Sequence, residues 1–140
     1  MLAMIIAVGG SGCDSNPTSD SPETFSTPCL VPLSRYCGGP RPCPTYDEAV
    51  RLMTAGAEST CRGPLGSLRM GTCGEYRFTS SGHVYRGETR YFDRDGDLVA
   101  ASVSSDTNEF CDRESFSAVY GRRLDCTVAD AIDLCAPFRP

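Results

Sequence analysis

Eight cysteines between Cys29 and Cys135, with a ninth standing apart at Cys13, constrain this chain more than any other feature. Cys29, Cys37, Cys43, Cys61, Cys73, Cys111, Cys126 and Cys135 form an even set that can close four bridges in an oxidising compartment. Eight cysteines allow 105 connectivities, and spacing alone does not choose among them. Cys37 and Cys43 bracket "GGPRP" and can close a small loop. A bridge between Cys126 and Cys135 is disfavoured, because a helix between them would hold them ~13 Å apart, against the ~7 Å that a disulfide tolerates. The region from Cys29 onward has the size of one domain and buries roughly 65% of its unfolded surface, so the bridges reinforce a core more than they replace one.

Cys13 belongs to a different part of the chain. "MLAMIIAV" is an apolar run too short for the ~20 residues that span a bilayer, and it suits the apolar region of a signal peptide. Gly10, Ser11 and Gly12 precede Cys13, and a stretch rich in Ser, Thr, Pro and Asp follows it. In these residues the chain resembles a bacterial lipoprotein precursor. The resemblance implies cleavage after residue 12, a lipid on Cys13 and a tether over 13–28. It also implies an envelope location, facing periplasm or cell surface; secretion without lipid is the alternative. "DSNPTSDSPETFSTP" offers too little apolar surface to order itself and is expected to act as a leash.

All thirteen basic residues are Arg, which excludes lysine nucleophiles and Schiff bases. Three of the eighteen acidic residues and none of the basic ones precede Cys29, so the region from 29 onward sits near a net charge of −2. Such a balance carries no electrostatic footprint for nucleic acid.

Residues 29–140 are expected to form one α+β domain. In "CPTYDEAVRLMTAG", Thr45 and Glu48 make a capping box, and Gly56 marks a stop. Ala49, Val50, Met53 and Ala57 recur at helical spacing and face the core. Residues 61–74 hold four glycines and a proline and read as a loop. "EYRFT", "HVYRGETRYFD", "DLVAASVS" and "SFSAVYG" read as about four strands of an antiparallel meander. Turns are placed at Ser80-Ser81-Gly82 and Arg94-Asp95-Gly96, and a bulge or close contact at Gly87. Val128, Ala131, Ile132 and Cys135 share one face of a short C-terminal helix.

Asp93, Asp95 and Asp97 crowd around Gly96, but Gly and Glu do not stand at the positions an EF-hand requires. A hairpin turn capped by its own carboxylates explains them better. His83 is the only histidine and follows a turn, so a Ser/His/Asp or Cys/His mechanism has a single, unremarkable candidate. No Cys-x-x-Cys occurs, which removes the usual zinc and thiol-redox patterns. No metal or other cofactor is expected. Glu75, Glu88, Asp112 and Glu114 are the acids from which a hydrolase would draw a carboxylate pair. Arg77, Arg86 and Arg90, interleaved with Tyr85 and Tyr91, suggest a platform for a sugar or anionic polymer, although cross-strand ion pairs on a solvated face account for the same residues. Arg41, between two prolines in the Cys37–Cys43 loop, suggests a constrained inhibitor loop. The reading as a whole is a disulfide-stapled α+β domain anchored by lipid to the bilayer. It is expected to be a non-enzymatic binding or structural module for an envelope protein or glycan. An acid-dependent hydrolase and a protease inhibitor working through Arg41 are the alternatives.

Overall fold

The computed structural model describes residues 28–139. Cys13, the signal segment 1–12 and nearly all of the tether lie outside the described residues. Those described build one seven-stranded sheet with two α-helices. In chain order these are β1 (Cys29–Val31), α1 (Tyr46–Ala55), α2 (Ala57–Arg62), β2 (Ser67–Cys73), β3 (Tyr76–His83), β4 (Arg86–Phe92), β5 (Leu98–Ser105), β6 (Ser117–Tyr120) and β7 (Val128–Asp133). The spatial order is β1-β6-β5-β4-β3-β2-β7. Every neighbouring pair is antiparallel except β1 and β6, which run parallel. No helix among the described residues is long and apolar enough to cross a membrane.

In place of the expected meander of about four strands stands a seven-stranded sheet, in which the four segments read as strands are β3–β6. Residues 61–74 are a loop only over 63–66: Cys61 and Arg62 end α2, and Ser67–Cys73 forms β2 in register with β3, from Ser67 opposite Gly82 to Cys73 opposite Tyr76. Gly63 and Gly66 bound a short turn and Gly74, at φ +62°, makes the β2–β3 turn, whereas Gly71 answers to a strand neighbour. A Cβ on Gly71 would stand 2.9 Å from Cα of Ala131, so the absent side chain lets β7 approach. The expected C-terminal helix is the edge strand β7, paired with β2. Its six residues are all exposed, so a helical apolar stripe there had no core to meet. An isolated helix that short is unstable without such a core.

The hairpin expected at Ser80-Ser81-Gly82 lies three residues further on, where Val84 and Tyr85 link His83 to its partner Arg86. Gly82 pairs with Gly87 inside the ladder, and a Cβ on Gly87 would meet the Ser104 hydroxyl at 3.3 Å, so these glycines serve close cross-strand packing. The second expected turn is present: Gly96 adopts φ +88°, and the Asp93 carboxylate accepts hydrogen bonds from the Asp95 and Asp97 backbone N–H groups, both at 2.9 Å.

The helix expected from Thr45 onward is α1, with its capping box formed in both directions. Gly56 ends α1 as foreseen, but α2 restarts at Ala57. Tyr46 Cβ lies 3.8 Å from where Gly96 would carry a side chain, and the Tyr46 N–H donates to the Gly96 carbonyl, which docks the start of α1 on the β4–β5 turn. Both helices cover one face of the sheet. There Ala49, Phe92 and Leu98 pack with Cys37, while Ala57, Leu68 and Cys135 form a second cluster. A third, with Val103, Phe110 and Ala118, lies toward β1.

The four disulfides are Cys29–Cys111, Cys37–Cys43, Cys61–Cys135 and Cys73–Cys126. Cys126 and Cys135 are indeed unpaired with each other, although the strand between them, not a helix, separates them. β6 and β7 lie five strand spacings apart, or ~24 Å. Residues 121–127 must bridge that distance in eight Cα steps, which reach at most ~28 Å. This strap is therefore nearly taut. It passes β5, where a Cβ on Gly121 would meet the Val99 carbonyl at 2.6 Å. At β3, Arg122 donates to the Tyr76 hydroxyl at 2.9 Å, and at β2 Cys126 is bound to Cys73.

Candidate functional site

Alternation along the strands sorts the side chains onto two faces. Leu68, Thr79, Ser81, Glu88 and Arg90 share the helix-covered face, because the register pairs Leu68 with Ser81, Ser81 with Glu88 and Thr79 with Arg90. α1 and α2 cover only part of that face. Between them and β2–β4 lies a cleft of about 330 Å³ with Leu52, Met53, Gly56 and Thr60 on its helical wall and Thr79, Ser81, Glu88 and Arg90 on its strand side.

Glu88 and Arg90 stand on the same strand two residues apart, so the pleat turns both into the cleft. Arg90 Nε lies 3.6 Å from the Glu88 carboxylate. Tyr36, brought in by the short 3₁₀ turn Leu33–Arg35, connects them: its hydroxyl donates to Glu88 Oε2 and accepts from Arg90 Nε at 2.6 Å. The pair is 24% and 33% exposed, so it is accessible at the cleft but screened from bulk water. Among the described residues, Glu88 Oε1 and both Arg90 terminal nitrogens have no further hydrogen-bond partner. Thr79 is 5% exposed, lines the cleft, and its hydroxyl makes no hydrogen bond among the described residues. A buried hydroxyl without a partner costs about 1–3 kcal/mol. A second group at that position would recover it.

Two further hollows lie among the described residues. One, about 390 Å³, is an open depression at the β3–β4 hairpin around His83, Tyr85 and Arg86. The other, about 460 Å³, lies between β1 and the loop 106–116, beside Arg35, Asp112 and Arg113. Both are larger, but among the described residues neither is lined by a buried polar side chain left unsatisfied, so the cleft under α1 is the better candidate. In the loop beside the third hollow, Cys111, Asp112 and Arg113 all take left-handed φ values of +48°, +65° and +66°. The Cys29–Cys111 bridge and the Glu114 N–H to Phe110 carbonyl bond hold that turn.

The residues singled out from sequence spread over several surfaces. Arg90 is in the cleft. Arg77 shares its face, but its guanidinium lies over the Tyr46 ring, 3.8 Å from the centroid. Arg86 pairs with Glu109 at 3.3 Å, and Tyr85 sits in the exposed hairpin turn. Tyr91 points to the opposite face beside Phe78, where partial burial raises its phenol above the usual value. Arg41 has both backbone groups tied to Gly38 across the Cys37–Cys43 loop.

Of the four candidate acids, Glu88 alone lines the cleft. Glu75, at the β2–β3 turn, is six residues along β3 from the Ser81 that pairs with Glu88, or ~20 Å. Asp112 and Glu114 belong to the Cys111 loop. His83 Nδ1 accepts from the Tyr85 N–H at the exposed hairpin. Sequence reasoning missed Tyr36, Leu52, Thr79 and Ser81. Strand alternation would have placed Thr79, Ser81 and Arg90 on one face, but nothing in the order of residues says that a helix stops short of covering them.

Comparison with known proteins finds no matching family model, no matching curated protein and no matching solved structure.

Proposed function

We propose that this protein is a non-enzymatic binding module, held at a bacterial envelope membrane by lipid on Cys13 and facing the periplasm or cell surface. The observation that carries the binding half is the cleft. Its polar groups are arranged to make hydrogen bonds, and its one carboxylate is already engaged with Arg90 and Tyr36. Hydrolysis through a carboxylate pair needs a second acid within about 5–9.5 Å, and no other acid among the described residues lines the cleft. Inhibition through Arg41 needs a backbone free to meet a protease; here its N–H and carbonyl are both used inside the loop closed by Cys37–Cys43.

The anchoring half is supported by parity. The four disulfides use all eight cysteines from Cys29 onward, leave Cys13 as the odd one, and suit an oxidising compartment. The test is the intact mass of the natively produced protein from the membrane fraction, with and without thiol labelling. A chain that begins at an acylated Cys13 and takes up no label supports the proposal. A chain that keeps Met1 and takes up label at several cysteines sinks it.

A further inference from the structure

The cleft under α1 is charge-compensated. Arg90 would draw an anion, but Glu88, 3.6 Å from it, repels the same anion and leaves little net field. What remains is a set of hydrogen-bonding groups in both senses: the terminal nitrogens of Arg90 donate, Glu88 Oε1 accepts, and the hydroxyls of Thr79 and Ser81 do either. A ligand that satisfies them must present donors and acceptors on adjacent atoms without a charge of its own. Neighbouring hydroxyls do this, one accepting from the guanidinium while the next donates to the carboxylate. The opposite wall is apolar, with Leu52 and Met53 facing the same space. A ring with polar edges and a C–H face matches both sides. The volume of about 330 Å³ lies at the low end of the ~300–1,000 Å³ range of small-ligand sites, which suits one ring and not a chain segment.

From this we infer that the cleft binds a single uncharged pyranose unit, with Thr79 hydrogen-bonded to one of its hydroxyls. The inference rests on the reading of the protein as a binding module and names the ligand class of that module's site. Thr79 is the discriminating residue. Its hydroxyl lacks a partner among the described residues, so Thr79→Val, which keeps the shape, leaves stability unchanged or raises it while removing a contact to the sugar.

The test is a titration of the oxidised full chain, followed by backbone amide NMR, with methyl glucoside and methyl N-acetylglucosaminide. Glucuronate serves as the anionic control and trialanine amide as the peptide control. Saturable shifts centred on Thr79, Ser81, Glu88 and Arg90 with a neutral sugar are expected, weakened about tenfold by Thr79→Val at an undiminished melting temperature. Glu88→Gln leaves Arg90 uncompensated and is expected to shift preference toward glucuronate. Glucuronate binding more tightly than both neutral sugars to the unaltered protein overturns the inference. So does sugar binding that Thr79→Val leaves intact. Shifts at the cleft from the peptide alone overturn the sugar assignment while sparing the binding module. A cleft silent to every probe overturns both.

Discussion

Replacing Cys73 and Cys126 together by alanine releases the strap that carries the chain from one side of the sheet to the other. The bridge closes a sequence separation of 53 residues. In the loop-entropy account this restricts the unfolded chain by an amount worth about 4 kcal/mol at 25 °C. The same arithmetic for Cys37–Cys43, with a separation of 6, gives about 2 kcal/mol. A domain of this size is commonly stable by ~5–15 kcal/mol, so the first loss is a large share of the total and the second is tolerable. Local structure points the same way. β7 exposes all six of its residues and is held mainly by its ladder to β2 and by bridges just outside its two ends, at Cys126 and Cys135. Urea unfolding of the two double-alanine variants is expected to rank them 73/126 well below 37/43, with a larger m-value for 73/126 because its unfolded chain is less compact. Hydrogen exchange is expected to show the β2–β7 ladder losing protection first. The reasoning is refuted if the 37/43 variant loses as much stability as the 73/126 variant. It is equally refuted if the β7 ladder stays as protected as the central strands.

Thr45→Ala removes one half of the α1 capping box and is expected to cost about 1 kcal/mol in urea unfolding. Asp93→Ala leaves two turn N–H groups without their acceptor and is expected to cost about 1–2 kcal/mol, while added calcium or chelator leaves the melting temperature of the unaltered protein where it was. Glu109 is held below its ordinary value by hydrogen bonds from Thr107 and Ser105 and by Arg86, and Asp133 by the Cys135 backbone N–H and by Arg139. A depressed carboxyl stabilises the fold above its unfolded value, roughly pH 4, and that contribution fades as pH falls through the lower folded value. Melting curves from pH 6 to 3 should therefore show a flatter acid limb in Glu109→Gln and Asp133→Asn than in the unaltered chain. Tyr91 has the opposite sign: its raised value favours the neutral phenol in the fold, so the contribution is lost as pH climbs above about 10, and Tyr91→Phe should lessen that loss.

Local chemistry was readable wherever a few neighbouring residues decide the outcome. Thr45 and Glu48 cap α1 because the pairing needs only one turn of helix, and Gly96 with Asp93 makes its turn from groups within five residues. Cys37 and Cys43 close a ring whose ends could hardly avoid each other. The central strands β3–β6 followed from their β-branched and aromatic content. The even set of eight cysteines announced four cross-links. Tertiary structure decided the remainder, because it turns on partners far away in the chain. Residues 128–133 carry a helical pattern of apolar positions, yet pairing with β2 and the bridges flanking them draw them out as an edge strand. Gly71 and Gly82 read as loop and turn residues, but Gly71 marks where the β7 backbone comes too close for a side chain and Gly82 sits inside the ladder facing a serine; for Gly87 the close contact is the alternative that holds, against Ser104. Three disulfides join positions 53 to 82 residues apart, and no local rule selects those partners from the alternatives. The cleft is the extreme case. Thr79, Glu88 and Arg90 are ordinary strand residues in the sequence, and they become a site only because α1 and α2 leave part of the sheet uncovered and Tyr36 reaches the same face from the segment before α1.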